Sequence, residues 1–229
     1  MVVSDALTKI SYALRGIDDD APSFGDDEAI YWLSVLNSKK DEYAQDIKQR
    51  WADLFEVRTL ADAVASGTQA YDLPDDFLAP SDEVYIDDLN GQRTYYEFVK
   101  PQQRSRYGVA EVFVQGNNPK QLVFTRDIDA TSQVVGGSIL VPGYYRPADM
   151  TTANSVLPFS DPNWALMATA AEIAFNDVVY ETKAADLTEK ANDLYRKMAQ
   201  ANRALTYRNG RRVPYNTSNF KITSPDRRR

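Results

Sequence analysis

Cysteine and histidine are both absent from the 229 residues. Without cysteine there are no disulfides and no thiolate metal sites, which fits a reducing cytoplasm or a protein indifferent to redox state. Without histidine the commonest general base and the commonest zinc ligand are missing together. Ser-His and Cys-His catalysis and histidine-based metal sites are therefore excluded. No apolar run approaches the ~18 residues of a membrane span, so no membrane partner is expected. The first residues, Met1-Val2-Val3-Ser4-Asp5, lack the basic and apolar regions of a signal peptide. What is present is ordinary: 43% of residues are apolar, enough for a folded chain. The length suits one core, or a small core with a sizeable insert.

The net charge of −7 hides an asymmetry. From Tyr207 to Arg229 seven basic residues (Arg208, Arg211, Arg212, Lys221, Arg227, Arg228, Arg229) face one acid, Asp226, a net of +6. Residues 1–206 then carry −7 − 6 = −13. An acidic body with a basic end is a partner-directed arrangement, because the end seeks negative surface.

The chain is organised around Ser160 to Leu205, which reads as two helices joined by a short turn. Asp161 caps the first, and Pro162 occupies its first turn, where a missing N–H costs nothing. Trp164, Met167, Ala171, Phe175 and Val178 share one face, and Ala165, Ala168, Ala170 and Ala174 keep the cylinder thin. Asp186 with Glu189 predicts a capping box for the second helix. Its apolar seam is Leu187, Ala191, Leu194, Met198, Ala201 and Leu205, and the helix is expected to give way at Asn209-Gly210. Such a hairpin needs a partner for its seam.

The N-terminal segment supplies one. Ser4 to Arg15 reads as a short helix with Leu7, Ile10 and Leu14 on one side, ended by Gly16. A longer helix opens at Phe24-Gly25-Asp26-Asp27-Glu28, whose acids suit its positive end. It is expected to reach Arg50 or beyond, burying Ile30, Leu33, Leu36, Tyr43, Ile47 and Trp51, with the polar stretch Asn37–Glu42 facing solvent or a neighbouring subunit. From Phe55 the pattern becomes β. Strands are predicted at 58–65, 83–87, 94–99, 111–115, 121–125 and 138–145. Pro74 begins a short turn, Asn90-Gly91 is the strongest hairpin signal, and Pro101–Tyr107 reads as a short helical connection. The fold class is α+β: a helical platform from both chain ends (1–56 and 148–206), an inserted antiparallel β-rich domain (57–147) and an extended basic tail (207–229).

Candidate chemistry is thin. Asp18-Asp19-Asp20, Asp26-Asp27-Glu28 and Asp87-Asp88 do not match a calcium loop, and solvated loop acids explain them. Asp75, Asp76 and Glu83 form no recognisable glycosidase pair. Gly108 and Gly136-Gly137 match no phosphate loop. No catalytic residue, metal or cofactor is expected, and the chain does not read as an enzyme. Tyr95, Tyr96, Tyr107, Tyr144 and Tyr145 are candidates for stacking on nucleic-acid bases, although strand aromatics are more often core and the surrounding acidity repels phosphate. The basic end admits three readings: nucleic-acid backbone binding, docking into an acidic groove on a protein, or a solvated end. The interspersed Val213, Pro214, Tyr215, Phe220 and Ile222 favour the groove, since an extended segment binds through apolar anchors in pockets.

The order of parts carries a resemblance. A short helix, an acid-opened long helix and a strand lead to Tyr71-x-Leu73-Pro74-x-Asp76-Phe77. Gly143-Tyr144-Tyr145-Arg146-Pro147 follows, and then Asn163-Trp164 opens an alanine-rich helix. Over about residues 1–206 this layout resembles the head-to-tail adaptor (connector) proteins of tailed bacteriophages and related viruses. The resemblance implies a structural protein of the virion neck, made in the host cytoplasm. It implies a homo-oligomeric ring, usually of twelve copies, beneath the portal protein and above stopper or tail proteins. Genomic DNA would pass through the ring without sequence-specific binding, and a wall of inward-facing acids would let it slide. The β insert would face outward or tailward. The C-terminal segment would dock on the portal through Arg208, Arg211, Arg212, Val213, Tyr215, Phe220, Lys221, Ile222, Arg227, Arg228 and Arg229. Two other readings stay open: a tail-completion or stopper ring protein, and a DNA-binding packaging accessory that uses the basic tail.

Overall fold

The computed structural model describes residues 1–16, 20–46, 49–100, 111–116 and 119–212, with 206–212 described by backbone alone. Among the described residues, four α-helices and eight strands make an α+β fold: α1 (Val3–Leu14), α2 (Asp27–Ala44), β1 (Phe55–Ala63), β2 (Ala70–Asp72), β3 (Phe77–Pro80), β4 (Glu83–Asp87), β5 (Arg93–Phe98), β6 (Glu111–Gln115), β7 (Gln121–Phe124), β8 (Ser138–Tyr145), α3 (Pro162–Asn176) and α4 (Glu181–Arg212).

Among the helices α3 is central. Asp161 accepts a hydrogen bond from the Asn163 N–H at 2.9 Å, and Pro162 follows the cap as the sequence predicts. Leu166, Ala170, Ile173 and Ala174 are all buried, and α1, α2 and α4 each pack against the helix. A helix that is apolar nearly all round belongs in an interior, and the alanines allow the close approach. The hairpin seam holds at Leu187, Ala191 and Met198.

Several expectations are overturned. Phe175 and Val178 are exposed, because α3 stops at Asn176 before their turn reaches a neighbour. Asp186 is no cap: α4 already begins at Glu181, and Asp186 pairs with Lys190 one turn on at 2.7 Å. Asp177 holds the entry instead, accepting from the Val179 N–H at 2.9 Å. Ala201 and Leu205 are exposed, since α4 there has passed the end of α3. The helix also runs through Asn209-Gly210 to Arg212; the good helix formers around that pair outweigh the roughly 1 kcal/mol a glycine costs.

α2 ends at Ala44, well short of Arg50. Trp51 is nevertheless buried, off the helix, stacked on Tyr43 at 4.7 Å between ring centroids. Ile30 points outward at 56% exposure, and Ile47 lies outside the described residues. The polar middle of α2 does not simply face solvent. Lys40 is 1% exposed, donates to the Pro147 carbonyl at 3.2 Å and pairs with Asp149. Asn37 donates to the Met150 carbonyl at 3.1 Å and accepts from its N–H at 3.0 Å. These polar residues fasten α2 to the chain leaving β8.

The strands form a mostly antiparallel sheet in the order β1-β8-β4-β5-β6-β7-β2, with β3 also on β8. The expectation of a wholly antiparallel sheet fails at β5 and β6, which pair in parallel through Glu97–Glu111 and Phe98–Val112. β3 is an additional strand, where the sequence suggested only a turn. The predicted turn precedes it, with the Phe77 N–H on the Pro74 carbonyl at 2.9 Å. Gly143 explains how β3 reaches β8: a Cβ there would lie 2.8 Å from both the Ala79 carbonyl oxygen and the Phe77 ring. The Asn90-Gly91 turn forms, with Gly91 at φ 78° and the Asp88 carboxylate accepting from the Asn90 and Gln92 N–H groups. The connection at 101–107 and Asn117-Asn118 lie outside the described residues.

Two cores result. One collects the helices with Trp51, Phe159 and Met150; the other lies within the sheet around Phe77, Val84, Ile86 and Tyr145. The end of β8 serves both, because neighbouring strand residues face opposite ways: Tyr144 packs on the helical core and Tyr145 on the sheet core.

The Tyr43 hydroxyl donates to Asp53 at 2.7 Å and contacts Ser160 Oγ at 2.6 Å. Tyr43→Phe should cost about 1.5–3 kcal/mol, the range for a hydrogen bond to a charged group, read by urea denaturation at pH 7. Burial, then the bond to Asp53, raises the Tyr43 hydroxyl above its ordinary value, and burial pushes Tyr145 up to about 12. The unfolded phenols lose their protons near pH 10 while the folded ones keep them. Stability is therefore full below about pH 10 and falls as pH rises toward 12, by ~1.4 kcal/mol per pH unit for each tyrosine. Denaturation midpoints measured from pH 9 to 11.5 check this, and Tyr43→Phe should shallow the decline.

Candidate assembly surfaces

Of the motif residues that carry the resemblance, Asp76 and Phe77 are brought onto Tyr145 and Arg146, while Tyr71 and Trp164 pack elsewhere in the two cores. Phe77 packs edge-on against Tyr145 with centroids 5.5 Å apart. The Arg146 N–H donates to the Asp76 carbonyl at 2.7 Å, and Arg58 pairs with Asp76 at 2.5 Å while lying 4.1 Å over the Tyr145 ring. Tyr71 accepts from the Ala65 N–H at 2.9 Å. Trp164 sits among Tyr43, Phe159 and Tyr195. These contacts join β1, β3, β8 and the helices.

The acidic clusters are likewise used locally. Glu28 pairs with Arg15, and Asp26 accepts from the Ser23 N–H at 2.9 Å. Asp87 is bidentate to Arg93, which holds its carboxyl below the usual range. Asp18 and Asp19 lie outside the described residues. Among the described residues no group of three or more acids stands where it would hold a metal ion. Of the tyrosines singled out for stacking, Tyr145 is buried, Tyr96 packs edge-on against Phe124 at 5.0 Å, and Tyr144 is half-buried against Phe55. Tyr95 is exposed beside Tyr85. Tyr107 lies outside the described residues.

The surfaces suited to a partner are different ones. At the turn between α3 and α4, Phe175, Val178 and Val179 are 79%, 86% and 76% exposed. Their position is fixed from behind: Arg15 donates to the Tyr180 hydroxyl at 2.8 Å, and Lys183 donates to the Leu14 carbonyl at 2.7 Å. A cation at the end of α1 also suits its negative pole. Three large apolar side chains within five residues, on a turn held rigid, form a patch that water solvates poorly. Periodicity assigned Phe175 and Val178 to the core; only the length of α3 reveals them as surface.

Along the side of the same hairpin runs an open cleft of about 730 Å³ between α2, α3 and α4. Trp164, Ala168, Ala171 and Ala191 give it an apolar lining, and Glu42, Asp46 and Glu172 add carboxylates. Lys39 is the one cation among the described lining residues, held by Glu42 at 2.9 Å and Glu172 at 2.5 Å. Burial works against its charge, but those two hydrogen bonds raise it. Tyr195 closes one end, its hydroxyl on Asp46; burial and that bond push it up to about 12.

The sequence matches the model of the SU10 adaptor protein family over residues 4–224. The chain belongs to that family. It is thus an adaptor-type bacteriophage protein, a structural component. No match is found among curated proteins. The family match extends past the helical hairpin into the basic segment, as far as Ser224. Of the predicted docking residues of this adaptor, Arg208, Arg211 and Arg212 lie on the backbone of α4. Val213, Tyr215, Phe220, Lys221, Ile222 and Arg227–Arg229 lie outside the described residues.

Because Val178 and Val179 are largely exposed, Val178→Ser with Val179→Ser should leave stability within about 0.5 kcal/mol of the parent, as surface changes do. The double variant should bind less of a hydrophobic dye and scatter less light at high concentration. A large loss of stability would instead place these valines in the fold.

Proposed function

We propose that this adaptor works in the virion neck as a ring of identical copies, usually twelve, between the portal protein and the stopper or tail proteins. The helices form the ring and the β-rich part faces outward or tailward. DNA passes through the lumen without being read. The observation that carries this reading is the apolar turn of Phe175, Val178 and Val179. A lone chain gains nothing from it, whereas a heterologous contact repeated around a ring would cover it in every copy.

Charge supports the rest. The body carries −13 and the segment from Tyr207 carries +6. An acidic lumen repels phosphate and lets the genome slide. The basic end, extended beyond the body by α4, docks on the portal through its arginines and its anchors Val213, Tyr215, Phe220 and Ile222. Asn202 of α4 grips the N-terminal half, accepting from the Ala52 N–H at 3.0 Å and donating to the Arg50 carbonyl at 2.9 Å. Ten further residues of helix carry the chain on by about 15 Å.

Removing residues 213–229, which leaves α4 whole, should reduce attachment to portal-bearing heads at least tenfold. The far-ultraviolet spectrum and melting temperature of the truncated protein should match the parent. Attachment at the parental level would refute portal docking by this segment. The rival use of the tail on DNA is separated by a filter-binding titration across salt: phosphate contacts predict a steep loss of affinity from 50 to 200 mM salt, and portal docking predicts no DNA retention at either.

A further inference from the structure

The cleft between α2, α3 and α4 combines two properties that rarely share a surface without an occupant. Its apolar lining includes the Trp164 indole and three alanines, and its charged groups sum to −2, three acids against Lys39. What fits such a groove is an extended segment with apolar side chains spaced along it and positive charge between and beyond them. The chain itself contains one. Residues 213–229 carry Tyr215, Phe220 and Ile222 with Lys221 and Arg227–Arg229, a net of +3 after Asp226.

Length permits the match within one chain. From Arg212 back along α4 to Ala191 is 21 residues, about 32 Å at 1.5 Å each. The 17 residues after Arg212 span up to about 56 Å when extended. Concentration favours the same chain over a second copy. A segment tethered this closely is present at an effective millimolar concentration, about a thousandfold above a micromolar solution of free copies.

We propose that in the free protein residues 213–229 fold back along α4 and occupy this cleft of their own chain. Phe220 and Ile222 lie against Trp164 and Ala168, Tyr215 lies on the approach along α4, and the basic side chains lie toward Glu42, Asp46 and Glu172. The segment that later engages a partner is thereby parked, and the apolar cleft is kept from other copies until assembly. Both contacts use the same side chains, so they exclude one another, and a more complementary partner surface draws the segment out.

The absence of cysteine makes the test clean. Asn192→Cys on the exposed side of the cleft and Thr223→Cys just past the anchors are introduced together in the full chain. The protein, at about 1 μM, is then treated with a short bismaleimide. Parking predicts an intramolecular cross-link, seen as a faster-migrating monomer and mapped by peptide mass. Its yield should fall at least threefold in 0.5 M salt, and as much in a background of Glu42→Lys with Glu172→Gln whose melting temperature is unchanged. Three results would overturn it: no cross-link, a product that is mainly dimer, or a yield indifferent to salt and to the cleft charges. The measurement needs no heads or portal, so its failure is separate from any failure of portal docking.

Discussion

The fold depends on one aromatic cluster that joins segments far apart in sequence. Tyr43 from α2 stacks on Trp51, meets Phe159 at 5.5 Å and Trp164 at 5.8 Å, and Tyr195 from α4 closes the group against Trp51 and Trp164. The whole sheet lies between Trp51 and Phe159 in the chain. Without this cluster α2, the segment at Trp51 and the helical hairpin would each keep aromatic rings in water, and the links across the sheet's insertion point would be lost. Large rings suit the task, because each removes much apolar area while edge-on and stacked contacts fix its orientation.

The sheet is attached by polar means as well. Lys40 and Asn37 reach from α2 to Pro147, Asp149 and Met150, immediately after β8. A buried ammonium is costly unless its protons are matched, so the Lys40 contacts specify where the chain leaving the sheet must run. With Tyr144 and Tyr145 facing different cores, β8 transmits position from one core to the other. Of the residues that carry the adaptor pattern, Asp76 and Phe77 meet Gly143, Tyr145 and Arg146 at that junction, while Tyr71 packs on Phe124 within the sheet. Their role is architectural, which accounts for a layout that is recognisable without any constellation of reactive groups.

Partner-directed features lie at the margins of this framework. The apolar turn after α3, the acid-bearing cleft beside it and the basic segment beyond α4 differ in chemistry, and none of them is closed over by the packing of the helices and sheet. A component of a larger assembly is expected to show this division: a rigid interior that needs no partner, and surfaces that remain incomplete alone.

Composition alone determined the broad class and removed histidine- and cysteine-based chemistry, because such chemistry needs side chains that are missing. Local signals also held: Asp161-Pro162 started α3, and Asn90-Gly91 turned the β4–β5 hairpin. These features are set within a few residues, by hydrogen bonds and backbone preference. What depended on neighbours was not legible. Ile30, Phe175 and Val178 share their chemistry with core residues and lie outside, while Lys40 resembles a surface residue and lies inside. The cleft has no sequence signature, since its lining comes from three helices spread over more than 150 residues. Only tertiary packing decides those positions, because burial belongs to where elements end and what meets them, and periodicity records neither.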